Sequence, residues 1–418
     1  MTAAAYPLRP ISPDEFPAFC ATAEMAFNSA EPPGEAVRQE QVTFEFDRSL
    51  AAFDGRQIVG TTVAYSFQMA VPGAVTSVAG VSFVTVLPTH RRRGILSALM
   101  RRQLAELSES GEPVAALFAS ESAIYGRFGY GTASEHLSVR IQRGEGTLRP
   151  AAAAGASQVR LRLAEPADQR AALGKVYEAI QPTRPGMHAR DDRWWQAALW
   201  DTPSSRGGAS ALRCLLAEDD AGPRGYALYT TRQERWEDRI PAGTVEISEL
   251  QAADPAAAAA LWRDLLTRDL ISEVRARNRP VDEPLLQLLT DRRQARPMLS
   301  DGLWIRLVDL AAALTRRRYA CPVDVVFEVT DELLPGNAGR WRLQAGGPAD
   351  PAQPTCERST AEPGLALPVS ALGACYLGGA RIGALVRAGL AQERRPGAAA
   401  ALSAAMLWDP APWSPTIF

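Results

Sequence analysis

Hydrophobic positions in this chain fall into two alternating rhythms: short unbroken apolar runs, and longer stretches in which an apolar residue returns every third or fourth position. Ser82 to Val86 is the clearest run and predicts a buried strand within 76–87. After Thr89-His90-Arg91-Arg92-Arg93-Gly94 the rhythm changes, and Ile95, Leu99 and Leu104, with small Ala98 between them, form the stripe of an amphipathic helix over 95–109. Around this pair the pattern predicts a short strand at Tyr6 to Arg9, a capping box at Ser12-Pro13-Asp14-Glu15 with proline at the first helical position, and a hairpin over 51–60 turned at Asp54-Gly55. Further strands are expected over 60–69, 113–119 and 132–142, and a helix near 122–128.

The same succession returns about 160 residues later, as expected of an internal duplication. Val159-Arg160-Leu161-Arg162-Leu163 alternates as a strand, and a helix is expected from Pro166. Leu212 to Glu218 and Gly225 to Thr231 bracket a turn at Asp219-Asp220-Ala221-Gly222, and Val245 to Leu250 takes the place of Val81 to Val86. Asp254-Pro255-Ala256 then opens a helix over Ala257 to Leu266, with an acid where the first copy has its Arg/Gly loop. Past Pro297 the pattern shifts to strands at Trp304 to Leu307, Val325 to Val329 and Gly339 to Leu343, then to helices rich in small residues and a strand-like end, Ser414 to Phe418.

Composition narrows the class. A chain of 418 residues exceeds one ordinary core and suggests two to four domains, and 46% hydrophobic with 22% charged residues is the balance of a globular protein. A net charge of −2 argues against nucleic-acid and anionic-membrane partners, which need a basic surface. Cys20, Cys214, Cys321, Cys356 and Cys375 are odd in number and widely spaced, which fits a reduced cytoplasm better than a disulfide framework or a zinc site. His90, His136 and His188 are the only histidines, so no metal is expected. The start shows no basic segment leading into an apolar one, and no stretch reaches the ~18 apolar residues of a membrane span, so no membrane partner is expected.

The strand, Arg/Gly loop and helix together form a candidate pyrophosphate cradle. The first N–H groups of a helix lack intrahelical partners, the macrodipole adds partial positive charge, Gly94 admits a close ligand, and the arginines supply countercharge. A basic helix cap is the plainer alternative. A second triplet, Arg316-Arg317-Arg318, follows the apolar Leu310 to Leu314 and precedes Tyr319, so it is read as surface cations at a helix C-terminus. Neither the nucleoside-triphosphate loop G-x-x-x-x-G-K-[ST] nor an early G-x-G-x-x-G is present.

The Arg-x-x-Gly run at Arg91 to Gly94 resembles the loop that holds the pyrophosphate of coenzyme A in a superfamily of acyltransferases. Residues 76 to 131 resemble the core of a GNAT-superfamily acyltransferase, including Ala119-Ser120-Glu121-Ser122-Ala123-Ile124-Tyr125-Gly126-Arg127-Phe128-Gly129-Tyr130-Gly131. Leu96 departs from the usual Gly or Ala two residues after the loop glycine. That departure, the Thr-His-Arg-Arg-Arg-Gly-Ile-Leu and Ile-Tyr-Gly-Arg-Phe-Gly-Tyr-Gly phrases, the length and the terminal Phe418 resemble the enhanced intracellular survival (Eis-like) family of N-acetyltransferases across essentially the whole chain. The resemblance implies an α/β (α+β) fold of tandem GNAT domains: a catalytic one over 1–150, a degenerate one over 151–297, and a sterol-carrier-protein-like domain over 298–418 that scaffolds the site and supplies the C-terminal carboxylate.

Acetyl transfer from acetyl-CoA to an amine needs a held thioester, a neutral amine, a stabilised oxyanion and a proton for the departing thiolate. The resemblance gives the holding to the loop amides of Arg92, Arg93, Gly94, Ile95, Leu96 and Ser97 and to the splayed strand edge at Val84, Thr85 and Val86, with Ser120 and Glu121 completing the cleft. Tyr125 is the candidate acid, because a phenol with a pKa near ~10 stays protonated beside a thiol near ~8.5, and Tyr130 competes with it. The implied base is the Phe418 carboxylate, and the implied assembly is a homohexamer. Glu24, Phe27, Glu31 and Glu35 are candidate walls for a small-molecule amine, or else a solvated helix face; the amine is an aminoglycoside, a polyamine or a lysine side chain. Ile417 puts no acid beside the terminal carboxylate, which disfavours efficient aminoglycoside modification. The alternative is a catalytically silent acyl-CoA or lipid-binding scaffold.

Overall fold

The computed structural model describes residues 6–29, 34–233 and 242–418. The chain divides into two compact units, one of residues 1–134, 302–412 and 416–418, the other of residues 135–301 and 413–415.

The first unit opens with β1 (Leu8–Arg9), α1 (Phe16–Phe27), α2 (Gly34–Thr43), β2 (Ser49–Asp54), β3 (Gln57–Val71), β4 (Ala74–Val86), α3 (Ile95–Glu109), β5 (Val114–Phe118), α4 (Ser122–Tyr125) and β6 (Gly131–Thr132). The capping box forms, with the Ser12 amide donating to Glu15 Oε2 at 3.0 Å, but it opens a single 3-10 turn that α1 then continues. The hairpin turns at Gly55 and Arg56, one residue later than expected, since Asp54 pairs with Gln57. Ile95, Leu99 and Leu104 are buried and α3 spans the predicted 95–109.

The second unit contains β7 (Glu135–Gln142), α5 (Pro150–Ala156), β8 (Arg160–Ala164), α6 (Arg170–Ile180), α7 (Asp192–Ala198), β9 (Arg213–Asp219), β10 (Gly222–Arg232), β11 (Gly243–Ala252), α8 (Pro255–Leu266), β12 (Ile271–Pro280), α9 (Leu285–Leu288) and β13 (Met298–Asp301). Its seven-stranded sheet runs β13-β7-β12-β11-β10-β9-β8. The apolar residues of α8, among them Trp262 and Leu265, pack on one face with Val245, Ile247 and Val274. Tyr177, Trp195, Tyr226 and Leu228 form the core of the other face.

The chain then returns to the first unit with β14 (Leu303–Leu307), α10 (Leu310–Thr315), β15 (Val323–Thr330), β16 (Gly339–Ala345), β17 (Thr355–Arg358), β18 (Leu365–Pro368), α11 (Val369–Tyr376), α12 (Ile382–Arg387), β19 (Gln392–Glu393) and α13 (Ala398–Met406). Strands β17-β16-β15-β18-β19 form a sheet of their own, whereas β14 inserts into the first sheet, whose order is β1-β2-β3-β4-β5-β14-β6. Among the described residues no helix is long and apolar enough to cross a membrane.

Four local expectations are corrected. The strand expected over 132–142 is two strands in different sheets, β6 beside β14 and β7 beside β12 and β13. The strand at Trp304 to Leu307 belongs to the first sheet, where Leu303 to Leu307 pair antiparallel with Phe118 to Val114. A local pattern cannot reveal a partner so distant in sequence. Ser414 to Phe418 forms no strand. The second Arg triplet is surface only in part: Arg316 is exposed, but Arg317 is 1% exposed and donates to the carbonyls of Cys375, Tyr376 and Met406. Those carbonyls end α11 and α13, where unpaired acceptors and the negative dipole ends favour a cation, and the rings of Tyr319 and Tyr376 flank it.

Helix α11 crosses β6 and β14 at backbone contact. A Cβ on Gly131 falls 1.9 Å from the Ser370 carbonyl oxygen and 2.6 Å from the Ala374 nitrogen, and one on Gly373 falls 2.3 Å from the Ile305 oxygen. Neither neighbour is a flexible side chain, so the helix has to lift. Gly131→Ala is expected to destabilise the protein by about 3 kcal/mol, the upper end of an overpacking cost, and to lower the midpoint of thermal unfolding accordingly.

Candidate active site

The site is built where β4 leaves its neighbours. Strands β4 and β5 pair in parallel only from Val78/Val114 to Gly80/Ala116, after which both run on unpaired with each other. On its other side β4 carries a bulge: Thr61 pairs with Thr85 and Val63 with Ser82, so Phe83 and Val84 stand opposite the single Thr62. Phe83 takes φ +52°, uncommon for an aromatic residue, and the Thr61 hydroxyl holds it by donating to its carbonyl at 2.6 Å. Its ring is gripped by Phe19 and Phe44. The bulge therefore turns the β4 edge at Val84 to Val86 toward the opening between β4 and β5.

That opening is a cavity of about 510 Å³. Val84, Thr85 and Val86 form one wall, Arg92, Gly94, Ile95, Leu96 and Ser97 another, and Ser120, Glu121 and Tyr125 a third. The structure also brings Phe27, Asn28, Ile124 and Arg127 to it. Gly94 caps α3 with φ +84° and no side-chain cap, and the first bond of the helix runs from the Ala98 N–H to the Gly94 carbonyl. The amides of Ile95, Leu96 and Ser97 thus precede the first intrahelical donor and belong to residues that line the cavity. Arg92 also has a left-handed backbone, at φ +63°. Positive φ at alternate positions turns successive amides to one side, the geometry of an anion nest.

The three arginines divide their roles. Arg91 donates to the Ala26 carbonyl at 3.0 Å, tying the loop to the end of α1, and Arg93 donates to the Tyr6 hydroxyl at 3.0 Å, away from the cavity. Arg92 lines the cavity and makes no hydrogen bond or ion pair with any described residue. Preceding them, His90 is buried between Asp54 and Thr89, with Nε2 3.2 Å from Asp54 Oδ2 and Nδ1 2.8 Å from Thr89 Oγ1, and it fixes the start of the loop.

Tyr125 and Tyr130 separate clearly. Tyr125 is 4% exposed and reaches the cavity, whereas Tyr130 packs edge-on beneath it with ring centroids 6.1 Å apart and does not line it. Burial pushes the Tyr125 hydroxyl up to about 12, against a hydrogen bond from Ser120 that lowers it; the nearby Glu121 charge adds to the rise. The Tyr130 hydroxyl is raised further by its complete burial and finds no hydrogen-bond partner among the described residues.

Phe418 does not line the cavity. Its ring sits in an aromatic slot in the same unit, 4.8 Å from the Phe67 ring on β3 and 5.4 Å from the Phe118 ring at the end of β5. Space for Phe67 exists because residue 80 has no side chain, since a Cβ on Gly80 falls 2.1 Å from the Phe67 ring. Beyond Phe67 lies Tyr65, at 6.1 Å, and around Tyr65 lie Glu40 of α2 and Thr43. Glu40 is raised by crowding and by the charge of Glu24 on α1, and neither carboxylate has a cationic partner among the described residues. Sequence reasoning missed Glu40, because nothing local shows that α2 folds its last turn toward Glu24. Of the other candidate wall residues, Phe27 lines the cavity, Glu35 lies in the first turn of α2, and Glu31 lies outside the described residues.

Residues 7–133 match the family of acetyltransferase (GNAT) domains, residues 186–307 match a second family of that description, and residues 310–415 match sterol carrier protein domains. An uncharacterised N-acetyltransferase of Streptomyces avermitilis is 44% identical over 409 residues, covering 98% of both chains. The N-acetyltransferase Eis of Mycobacterium bovis is 36% identical over 342 residues, 80% of this chain and 79% of that one. The crystal structure of Eis1 from Mycobacterium abscessus superposes with a TM-score of 0.81 at 32% identity, over 99% of this chain and 100% of that chain.

The aromatic slot has a direct test. A terminus held by Phe67 and Phe118 resists an exopeptidase that removes aromatic C-terminal residues, so carboxypeptidase A is expected to release Phe418 at least ~10-fold faster from Phe67→Ala than from the wild type, followed by mass spectrometry. Equal rates mean that the slot does not hold the terminus.

Proposed function

This chain belongs to the Eis branch of the GNAT N-acetyltransferases, and from that premise we propose that the cavity between β4 and β5 transfers an acetyl group from acetyl-CoA to a primary amine within one ternary complex. Acetyltransferases of this superfamily use acetyl-CoA, and the cavity residues suit it. Arg92 and the amides at the start of α3 would hold the pyrophosphate, and the freed β4 edge at Val84 to Val86 would bond the pantetheine arm. The observation that carries the reading is the convergence of Arg92, the uncapped helix start, the β4 edge and Tyr125 on one cavity.

At neutral pH an alkylamine, with a pKa near ~10.4, arrives protonated, and it attacks only after losing a proton. The Phe418 carboxylate is assigned that proton, the β4 amide edge stabilises the thioester oxygen as nitrogen adds to carbon, and the C–S bond then breaks. Tyr125 donates its proton to the departing sulfur, the nitrogen gives up its second proton through solvent to the phenoxide, and Phe418 releases the first to bulk water, so the products are an amide and the free thiol. A phenol pushed up to about 12 remains protonated throughout the working range, as this role requires.

The amine class stays an aminoglycoside, a polyamine or a lysine side chain. Glu24 and Glu40 put two carboxyl groups in the region beyond Phe67, and a cationic amine there would relieve the repulsion that raises Glu40. Ile417, 62% exposed, contributes none, which weighs against the most highly charged of them. All five cysteines are unpaired, which supports a reducing compartment.

Coenzyme A release with acetyl-CoA and a panel of amines tests the assignment. Tyr125→Phe is expected to lower kcat by about 10²–10⁴-fold with the KM for acetyl-CoA little changed, the usual size of a general-acid effect. Arg92→Gln is expected to raise the KM for acetyl-CoA by about 10-fold or more with kcat retained, the scale of one charged hydrogen bond. Binding of acetyl-CoA with no turnover on any amine points instead to a silent acyl-CoA-binding scaffold. The acid also makes a pH prediction. Because the Tyr125 hydroxyl is raised, kcat is expected to show no alkaline fall below about pH 11, read from a pH–rate profile.

A further inference from the structure

The second sheet repeats the parting of strands that makes the cavity in the first. Strands β11 and β12 pair in parallel from Gly243/Ile271 to Ile247/Ala276, and each then runs on, to Ala252 and Pro280. The cofactor loop is absent there. Asp254 caps α8 by accepting from the Ala256 and Ala257 amides at 2.9 and 3.0 Å, and Arg224 grips that carboxylate with two bonds of 2.7 and 2.8 Å. Against the cost of burial, this pairing holds the Asp254 carboxyl below its usual range. The helix start is thus already occupied by an anion of the chain's own, which excludes a pyrophosphate.

What the second unit holds near the parting is the chain's own tail. Asn278 lies two residues past the last β11–β12 pair, in a bulge of β12 against β7. Its amide makes three contacts with the tail: Nδ2 donates to the Ser414 carbonyl at 3.0 Å and to the Pro415 carbonyl at 3.3 Å, and Oδ1 accepts from the Trp413 indole at 2.9 Å. The Trp413 backbone N–H donates to the Pro185 carbonyl at 2.8 Å, and the Arg279 guanidinium lies 5.2 Å from the indole ring. Trp413 is 3% exposed and packs into the core formed by Tyr177, Trp195 and Tyr226. An asparagine that satisfies two carbonyls and an indole is a built receptor for this segment.

We propose that the parting of β11 and β12, having lost its cofactor loop, serves as the anchor for residues 413–415, and that Asn278 and Trp413 are positioning residues for the Phe418 carboxylate. The proposal rests on the reading of that carboxylate as the base. Phe418 follows Pro415 by three residues, so the anchor at Pro415 and the ring contacts of Phe418 with Phe67 and Phe118 together fix where the carboxylate lies, and loosening the anchor loosens that placement. A displacement of about 1 Å at a reacting group costs on the order of 10² in rate.

The test uses the full chain with Asn278→Ala and Trp413→Phe, and with Trp413→Ala for the larger loss. Asn278→Ala removes all three contacts of the amide and leaves the aromatic core intact, so it guards against a variant that fails to fold. Its kcat at pH 7 is expected to fall about 10- to 100-fold with the KM for acetyl-CoA within about twofold. The deficit should shrink as the pH approaches the amine's own pKa near ~10.4, where no base is needed. Hydrogen exchange of residues 413–418 is expected to quicken in the same variant, with Trp413→Phe intermediate. A deficit equal at all pH values, or an unchanged kcat, overturns the positioning role, and unchanged exchange at 413–415 overturns the anchor. A variant extended by one residue beyond Phe418 separates the two ideas: full turnover there sinks the terminal-base reading, while the exchange data still decide the anchor.

Discussion

The site depends on one interruption, the end of parallel pairing between β4 and β5 after Gly80 and Ala116. In a continuous sheet the N–H and C=O groups beyond that point would be spent on each other. Here β5 stays in the sheet by pairing with β14 on its far side, down to Phe118, while β4 remains held by β3 through a bulge. The two strands can therefore part without either becoming a free edge, and only their facing edges are released. Every other feature of the site is arranged around those edges. The α3 start and Arg92 lie on one wall of the opening, Tyr125 lies on another, and the Phe118 ring at the end of β5 carries Phe418.

Most of the first wall was legible in sequence, because its signals are local. Gly94, the amphipathic stripe of α3 and the apolar run before the loop specify a strand, a left-handed cap and a helix start without reference to the rest of the chain. Tyr125 was legible as a residue type at a spacing, although its place on the cavity wall, which separates it from Tyr130, depends on packing that sequence does not display. The pairing of β14 with β5, the aromatic slot under Phe418 and the approach of Glu40 to Glu24 were not legible. Each joins segments far apart in sequence, and each uses residues whose local pattern suits several structures. Gly80 is the instructive case: a glycine inside a strand suggests a bulge, yet its role is to leave room for the Phe67 ring.

The second sheet shows what the same architecture becomes when one local signal is exchanged. Asp254 at the head of α8 satisfies the amides that are left open at α3, and Arg224 neutralises it. That exchange removes the electrostatic demand for a bound anion while keeping the helix well capped, so the fold persists without the ligand. On the other face of that sheet, buried Glu249 has found its own partners in Arg190 and Tyr226, which hold its carboxyl low against the cost of burial. Glu249 and Asp254 thus find their counter-charges within the same unit, and the Asn278 amide is met by the tail.

The two Arg triplets make the same argument in miniature. In both, the outer residues are bound to nearby carbonyls or hydroxyls: Arg91 and Arg93 to Ala26 and Tyr6, Arg316 and Arg318 to Thr76 and Ala352. The middle residue decides the outcome. Arg317 is buried against the ends of α11 and α13, where carbonyl oxygens consume its donors and its charge is held at the cost of desolvation. Arg92 is given nothing. Its backbone is held in the left-handed region, and two residues on Gly94 starts α3 with no side-chain cap. In a chain with 45 basic and 47 acidic residues, Arg92 stands on a cavity wall beside uncapped amides and forms no ion pair with any described residue, an arrangement that favours an anion there.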